Sequence, residues 1–455
     1  VINIITVSEE QIKTAIDLYK IKENDIISDE QAQKAFTLYT GLHRKPDFKY
    51  NSEKIVPNSV DFFKDYIRIM SLRRWILKIL PSIDLFSVAG KLPLTRTNDD
   101  FEGYINDILS NYVEGLGKIN CIIPPEYNLI DGTTLEKAKN LCASIICSIE
   151  EYYRGFPDKA FSKFKKGLIN NLSISGHFVN NIIIPIAENQ LFYKMRIGTD
   201  YTYKRDEIFH IPFQLRGKVA TNRYSIPGIP CIYLGITPLA CWEELNKPDL
   251  NTVQTSLFQS YSITYLDLST PPAVFIQNLI QNYENISKRN MYRDITTYIL
   301  LWPLMAACSI RVKYKNDTFK PEYIIPQLLL QFIRQTDSID GISYFSTKID
   351  RYSLEISEVY RNFAFPVQKK QKEGLCPILK DKFEVTDAVP WQMFELYKNS
   401  RFCLPYDIEE DKRYEIEFID GMSLLYTSTD FYKLENFLKS KSTLEKIPDG
   451  TKPST

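Results

Sequence analysis

Neither sign of charge dominates this sequence: 56 lysines and arginines balance 56 aspartates and glutamates, for a formal net charge of zero. Proteins dedicated to nucleic acid usually carry a basic excess, so the balance argues against a polyanion partner and leaves room only for a local basic pocket. Arg73, Arg74 and Lys78 offer at most a small basic face. Histidine is scarce as well. His43, His177 and His210 are the three in 455 residues, and none stands at a zinc-ligand spacing with cysteine. The eight cysteines, at 121, 142, 147, 231, 241, 308, 376 and 403, form no C-x-x-C, and several lie in apolar runs such as Leu141-Cys142-Ala143. They read as buried free thiols in a reducing compartment, and no metal is expected. The most apolar stretch, Tyr298 to Ile310, is broken by Pro303 and falls short of the ~20 residues that span a bilayer. The first residues, Val1 to Val7, lack a basic leader and soon meet Glu9-Glu10, unlike a signal peptide. A soluble, cytoplasmic protein with no membrane partner is the expectation.

The common catalytic signatures are missing too. No G-x-G-x-x-G follows a strand, Gly117-Lys118 and Gly217-Lys218 lack the rest of a P-loop, and there is no H-E-x-x-H, G-x-S-x-G or EF-hand loop. What is present is a globular composition, 44% apolar, 13% aromatic and 25% charged, over a length that predicts two to four domains at roughly 100–200 residues each.

Helical spacing governs the first part of the chain. Ile12, Ala15, Ile16 and Tyr19 recur with it, as do Phe62, Phe63, Tyr66, Ile67 and Met70. Asn98-Asp99-Asp100 opens a helix through Phe101, Ile105 and Leu109, and Pro124-Pro125 marks a loop. Thr133 or Thr134 is the expected cap of the next helix. After about residue 185 strands and helices interleave without a βαβ rhythm: strands are predicted over 191–196, 231–236, 261–268, 341–346 and 362–367, and a helix over 324–334. This is an α+β pattern. Beyond the lysine-rich break at 369–372, Tyr414 to Asp420 alternates as an edge strand does. The expected organisation is a mainly helical region 1–185, a mixed domain 186–370 and a C-terminal extension 371–455.

The chemistry concentrates between Tyr193 and Leu245. A polar loop, Thr221-Asn222-Arg223-Tyr224-Ser225, runs through Pro227-Gly228-Ile229-Pro230 into the strand Cys231-Ile232-Tyr233-Leu234-Gly235. Thr237 and Pro238 are the expected cap and first residue of a helix reaching Leu245. Gly235, facing a pocket, is expected to let a ligand approach the backbone. Taken singly, an arginine and a glutamate in one domain are more often a structural ion pair than a catalytic set, and Tyr233 more often core. Trp242 reads as an anchor of its helix and His210 as a packed or capping residue.

The spacing changes that balance. Arg223, Tyr233 and Glu244 stand ten and eleven residues apart with a Pro-Gly turn between the first two, and Asp340-Gly341-Ile342-Ser343-Tyr344-Phe345-Ser346 and Asn362-Phe363-Ala364-Phe365 follow. A helix with Pro326, Gln327 and Leu328 lies between. Over residues 186–370 the sequence resembles the RES-domain family of NAD-degrading, ADP-ribosyltransferase-like toxins, named for an Arg-Glu-Ser set. The resemblance implies a mixed-sheet, ADP-ribosyltransferase-like catalytic domain with NAD+ as substrate and Glu244, Arg223, Tyr233 and Ser346 as site residues. Arg196 is a second candidate for the pyrophosphate, because a family arginine sits on the domain's first strand. The residue types suit the reaction: a carboxylate stabilises oxocarbenium character at the ribose, a guanidinium forks onto a pyrophosphate, and a tyrosine stacks or donates. Hydrolysis, phosphorolysis and transfer of ADP-ribose to a protein remain open, as does a binding module without turnover. Candidate partners are an antitoxin or regulatory protein and a second copy of the chain. Regions 1–185 and 371–455 exceed a compact RES toxin, and one expectation is that they cover or assemble the pocket.

Overall fold

The computed structural model describes residues 29–42, 91–122, 130–174, 177–178, 183–185, 189–282, 288–350, 352, 354–399, 415–419 and 422–448, with residue 89 and scattered positions between 10 and 28. The helical spacing expected at Ile12, Ala15, Ile16 and Tyr19 and at Phe62 to Met70, the Pro124-Pro125 loop and the basic face at Arg73, Arg74 and Lys78 lie outside these residues.

Described helices before the sheet are α1 (Asp29–Leu42), α2 (Phe101–Ile122), α3 (Gly132–Tyr153) and α4 (Pro157–Leu172). Asp100 opens α2 by accepting the Gly103 N–H at 2.9 Å. At α3 the cap is Asp131 rather than Thr133 or Thr134, because its carboxylate takes the Thr134 N–H at 2.6 Å. The buried stripe of α3, Thr134, Ala138, Leu141, Cys142, Ile145, Ser148 and Ile149, follows the helical period and packs on α4.

The mixed sheet has nine strands: β1 (Ile183–Pro185), β2 (Gln190–Ile197), β3 (Cys231–Gly235), β4 (Val253–Ser260), β5 (Thr264–Leu268), β6 (Gly341–Phe345), β7 (Arg361–Pro366), β8 (Phe383–Val385) and β9 (Val389–Pro390). Its order is β8-β4-β2-β3-β7-β6-β5-β1, with β9 also on β4, and β5–β6 is the parallel pair among antiparallel ones. The expected strands fall within a few residues of those observed. β4 is additional: it reads Val-Gln-Thr-Ser-Leu-Phe-Gln-Ser yet is buried throughout. Its polar groups are bonded: Gln254 Nε2 donates to the Gly198 and Tyr201 carbonyls at 2.9 and 2.7 Å, and Ser256 Oγ to the Thr386 carbonyl at 2.6 Å. β8 and β9 lie beyond residue 370, so the sheet crosses the expected boundary there. Glu415–Ile419 forms a hairpin with Met422–Leu425 instead of an edge of this sheet.

Each face of the sheet carries a core. One is aromatic: Phe192, Phe258, Phe363, Phe365 and Phe383 meet with Phe209 and Phe213. The other joins Leu266 and Ile342 to α2–α4, to α6 (Lys288–Cys308) and to α7 (Ile324–Arg334). Between β3 and β4 stands α5 (Pro238–Glu244), and α8 (Asp430–Lys441) packs against it. On α8 the fully buried Glu435 accepts from the Tyr193 hydroxyl of β2 at 3.4 Å and from Tyr426 Oη.

Pro303 does not break its apolar stretch, as the sequence led one to expect; α6 runs through it. Proline lacks the N–H that should bond the carbonyl four residues back, which is Ile299. The Tyr112 hydroxyl of α2 supplies the missing donor at 2.9 Å, and its ring stacks on Trp302 at 4.0 Å. No described helix is long and apolar enough to cross a membrane. Replacing Tyr112 by Phe should leave the Ile299 carbonyl buried and unpaired, lowering unfolding free energy by about 1–3 kcal/mol in a denaturant titration while keeping the stacked ring.

Candidate active site

β2 and β3 pair at one position, Tyr193 opposite Gly235, whereas β2–β4 and β3–β7 run as full ladders. At this parting of the sheet lies a cleft of about 860 Å³, lined by Met195 of β2, Tyr233 to Gly235 of β3, Glu243 and Glu244 of α5, Arg223, Tyr323, Tyr344, Lys348 and Asn362 among others.

The Arg223 loop is shaped by a tight turn. Ile229 N–H donates to the Ile226 carbonyl at 2.9 Å across Pro227-Gly228, and Gly228 takes φ of 68°, the left-handed value a type II turn needs at its third residue. Ser225 Oγ accepts the Asn222 N–H at 3.0 Å and donates to the Asn222 carbonyl at 2.9 Å, while Gln327 Nε2 of α7 donates to that carbonyl at 3.2 Å. So fixed, Arg223 donates to the Cys308 carbonyl at 3.1 Å and Thr347 Oγ1 at 3.4 Å, with Tyr323 5.3 Å beneath its guanidinium.

Glu244 arrives from the next element. Thr237 Oγ1 accepts the Ala240 N–H at 3.0 Å and donates to the Val359 carbonyl at 2.8 Å, and Pro238 begins α5 as expected. The pressure of this helix explains Gly235. A Cβ there would sit 2.8 Å from Cys241 Sγ and 3.0 Å from the Thr237 carbonyl, so the glycine admits α5 rather than the ligand approach the sequence suggested. Glu244 Oε1 accepts from Ser346 Oγ at 2.6 Å and from Asn362 Nδ2 at 2.9 Å. Lys348 Nζ stands 3.8 Å from Oε2 and donates to the Glu243 and Glu244 carbonyls at 2.8 and 2.6 Å, a cation on the last turn of a helix. Glu243 is bound by Lys247 at 3.1 Å, which leaves Glu244 as the carboxylate flanked by Ser346 and Asn362.

Tyr233 lines the cleft, but its hydroxyl donates to the Tyr224 carbonyl at 2.7 Å, so toward a ligand it offers its ring and an acceptor. Burial holds the Tyr233 and Tyr344 hydroxyls well above the ordinary phenol value and pushes the Cys241 thiol up to about 12. None of these is a nucleophile at neutral pH. Cys142, Cys147, Cys231, Cys241, Cys308 and Cys376 are unpaired, and all but Cys147 are buried.

Four of the five sequence candidates, Arg223, Tyr233, Glu244 and Ser346, therefore converge. Arg196 does not. Alternation along β2 turns Met195 to the cleft and Arg196 to the opposite face, where its guanidinium lies 4.2 Å over Tyr203 and donates to the Glu207 carbonyl at 2.9 Å. Asn362 and Lys348 line the cleft beside Glu244 and were not among the sequence candidates; the signal for the first was an amide heading an apolar strand. The described residues lining the cleft fall between 195 and 362, so no described residue of regions 1–185 or 371–455 covers it. Among the described residues no group of three His, Cys, Asp or Glu is gathered as a metal site.

The geometry defines a mixed α/β protein with a carboxylate held in a cation-lined cleft. Over 446 residues, 93% of this chain and 98% of the relative, the sequence is 33% identical to a Bacillus subtilis (strain 168) protein named "Putative toxin YopC", and the chain belongs to the family of that protein. No family model matches the chain, and no solved structure matches it.

His210 is a packed residue outside the cleft: Nδ1 bonds the Ile211 carbonyl at 2.8 Å, Nε2 accepts the Cys376 N–H at 2.9 Å, and burial lowers the ring from 6.5 to about 4. Above pH 6.5 it is neutral whether folded or unfolded; as pH falls toward 4 only the unfolded chain takes the proton. This group should thus cost about 1.4 kcal/mol of stability per pH unit across that window. His210→Gln, which keeps an acceptor and a donor, should flatten the corresponding part of the pH–stability curve measured by denaturant unfolding.

Proposed function

We propose that this chain is a toxin-type enzyme that cleaves the nicotinamide–ribose bond of NAD+. The observation that carries the reading is the convergence of Arg223, Tyr233 and Glu244 on one cleft, with the buried Ser346 bonded to the Glu244 carboxylate behind it. The relative's name, "Putative toxin YopC", supports the toxin part of this reading.

In this mechanism the bond between ribose C1′ and the pyridinium nitrogen breaks with both electrons going to nitrogen, so nicotinamide leaves neutral and no general acid is needed. Positive charge grows on the ribose. The Glu244 carboxylate, with Oε1 fixed by Ser346 and Asn362, presents negative charge to that centre. Fixing it beforehand removes reorganisation from the reaction itself. Arg223, beside Tyr323, binds the pyrophosphate, and Tyr233 packs on the leaving ring. Water completes hydrolysis by bonding through oxygen to C1′, and its proton passes to bulk solvent. A second reading, in which phosphate replaces water, is favoured by Lys315 and Lys320 in the cleft lining.

Purified protein incubated with NAD+ should release nicotinamide. Glu244→Gln should reduce the rate roughly 100-fold or more, because loss of one preorganised electrostatic group is worth that much. Equal release by the variant would remove Glu244 from the mechanism, and no release by the wild type would remove the enzymatic reading. Asn362→Ala and Ser346→Ala, each leaving one donor on Oε1, should slow release by about 10-fold, a smaller loss of positioning. Added phosphate raising the rate and yielding a phosphorylated ribose product would favour the second reading.

A further inference from the structure

The segment joining α6 to α7 supplies Arg311, Val312, Lys315, Lys320 and Tyr323 to the cleft, which Glu244 also lines. Residues 314–319 of this segment are exposed and without regular structure beyond turns and bends. The Arg311 guanidinium is held by Asp350 and by the Ile349 carbonyl at 2.8 Å, and further anchors come from far away in the chain. The Arg311 N–H donates to the Leu94 carbonyl at 2.8 Å; Lys313 Nζ donates to the Thr97 carbonyl at 2.9 Å and to Asp99 Oδ1 at 2.6 Å; Tyr314 Oη donates to that same oxygen at 2.6 Å. At the segment's other end the buried Arg96 pairs with buried Glu322 at 2.8 Å and donates to the Asn98 and Asp99 carbonyls at 2.8 and 2.9 Å. Phe319 lies 6.3 and 6.0 Å from Tyr152 and Tyr153 at the end of α3.

We propose that residues 94–99 are a clamp on the cationic rim of the cleft, with Asp99 the positioning residue through which the N-terminal region sets affinity for the dinucleotide. This rests on the NAD+ reading. The physical argument is one of population: a rim that is in place only a fraction of the time weakens apparent affinity by that fraction. Glu244, Ser346 and Asn362 are bonded to one another and not to residues 94–99, so binding is the step affected. Asp99 touches no part of the cleft lining except through this segment.

The test uses the full chain with Asp99→Ala, Asp99→Asn and Tyr314→Phe. The Asp99 side chain is 77% exposed, so its loss leaves the core intact. Trypsin cleavage after Lys313 and Lys315 should accelerate in Asp99→Ala, with Asp99→Asn, which keeps an acceptor, intermediate. ADP-ribose binding by calorimetry and the KM for NAD+ should both worsen by about 10-fold if the rim is held about a tenth of the time, with kcat within twofold. Unchanged proteolysis in Asp99→Ala would overturn the clamp. Faster proteolysis with unchanged ADP-ribose affinity would overturn the link to binding, as would a fall in kcat at constant KM. Absence of nicotinamide release from the wild type alongside intact ADP-ribose binding would defeat the catalytic reading alone. If ADP-ribose does not bind at all, the affinity claim falls with the dinucleotide reading.

Discussion

The close approach of α5 to β3 at Gly235 is the constraint on which the site depends. With no side chain at 235, the helix's first turn presses on the strand, Cys241 Sγ reaches the Tyr193 carbonyl at 3.1 Å, and the sheet opens beside it. The last residue of the helix is thereby delivered beside Ser346 and Asn362, which leave the sheet on two neighbouring strands. Strand register and helix length together set the carboxylate's position; neither does so alone. Any side chain at 235 would push the helix away and separate Glu244 from its two donors.

The regions outside 186–370 are part of this arrangement rather than appendages. Trp242 of α5 faces Phe431 at 5.4 Å, and Glu435 ties α8 to Tyr193 in the interior. On the other side Tyr112 replaces the hydrogen bond that Pro303 withholds from α6. The apolar core on one face of the sheet is continuous from α2 to α8. A carboxylate buried with two tyrosine donors, or a hydroxyl bonded to a helix carbonyl, contributes through satisfaction of groups that are expensive to leave alone.

Much of the site was legible because its residues lie in short, spaced motifs whose local structure is self-contained: a Pro-Gly turn, a strand, a capped helix. The α+β character and the helix at 324–334 were legible from periodicity for the same reason. Arg196 was misread because sequence gives the alternation of a strand without its phase relative to the cleft. β4 escaped detection because Gln254, Ser256 and Gln259 are polar residues in a buried strand, with partners such as Tyr201 and Thr386 that pattern analysis cannot reach. The continuity of α6 through Pro303 depends on a donor 187 residues away in the chain. Local pattern reads local causes.

The position of β8 and β9 has a bearing on synthesis. β4 pairs with β2 on one side, and its other edge is completed by residues 383–390; Glu435 comes later still. A chain growing from its N-terminus therefore makes Arg223, Glu244, Ser346 and Asn362 before it has made the strands that cover the β4 edge or the carboxylate that anchors Tyr193. An unpaired strand edge is an invitation to wrong pairing until it is covered. Every residue of the cleft is thus translated ahead of the strands that cover the β4 edge and of the Glu435 carboxylate that meets Tyr193.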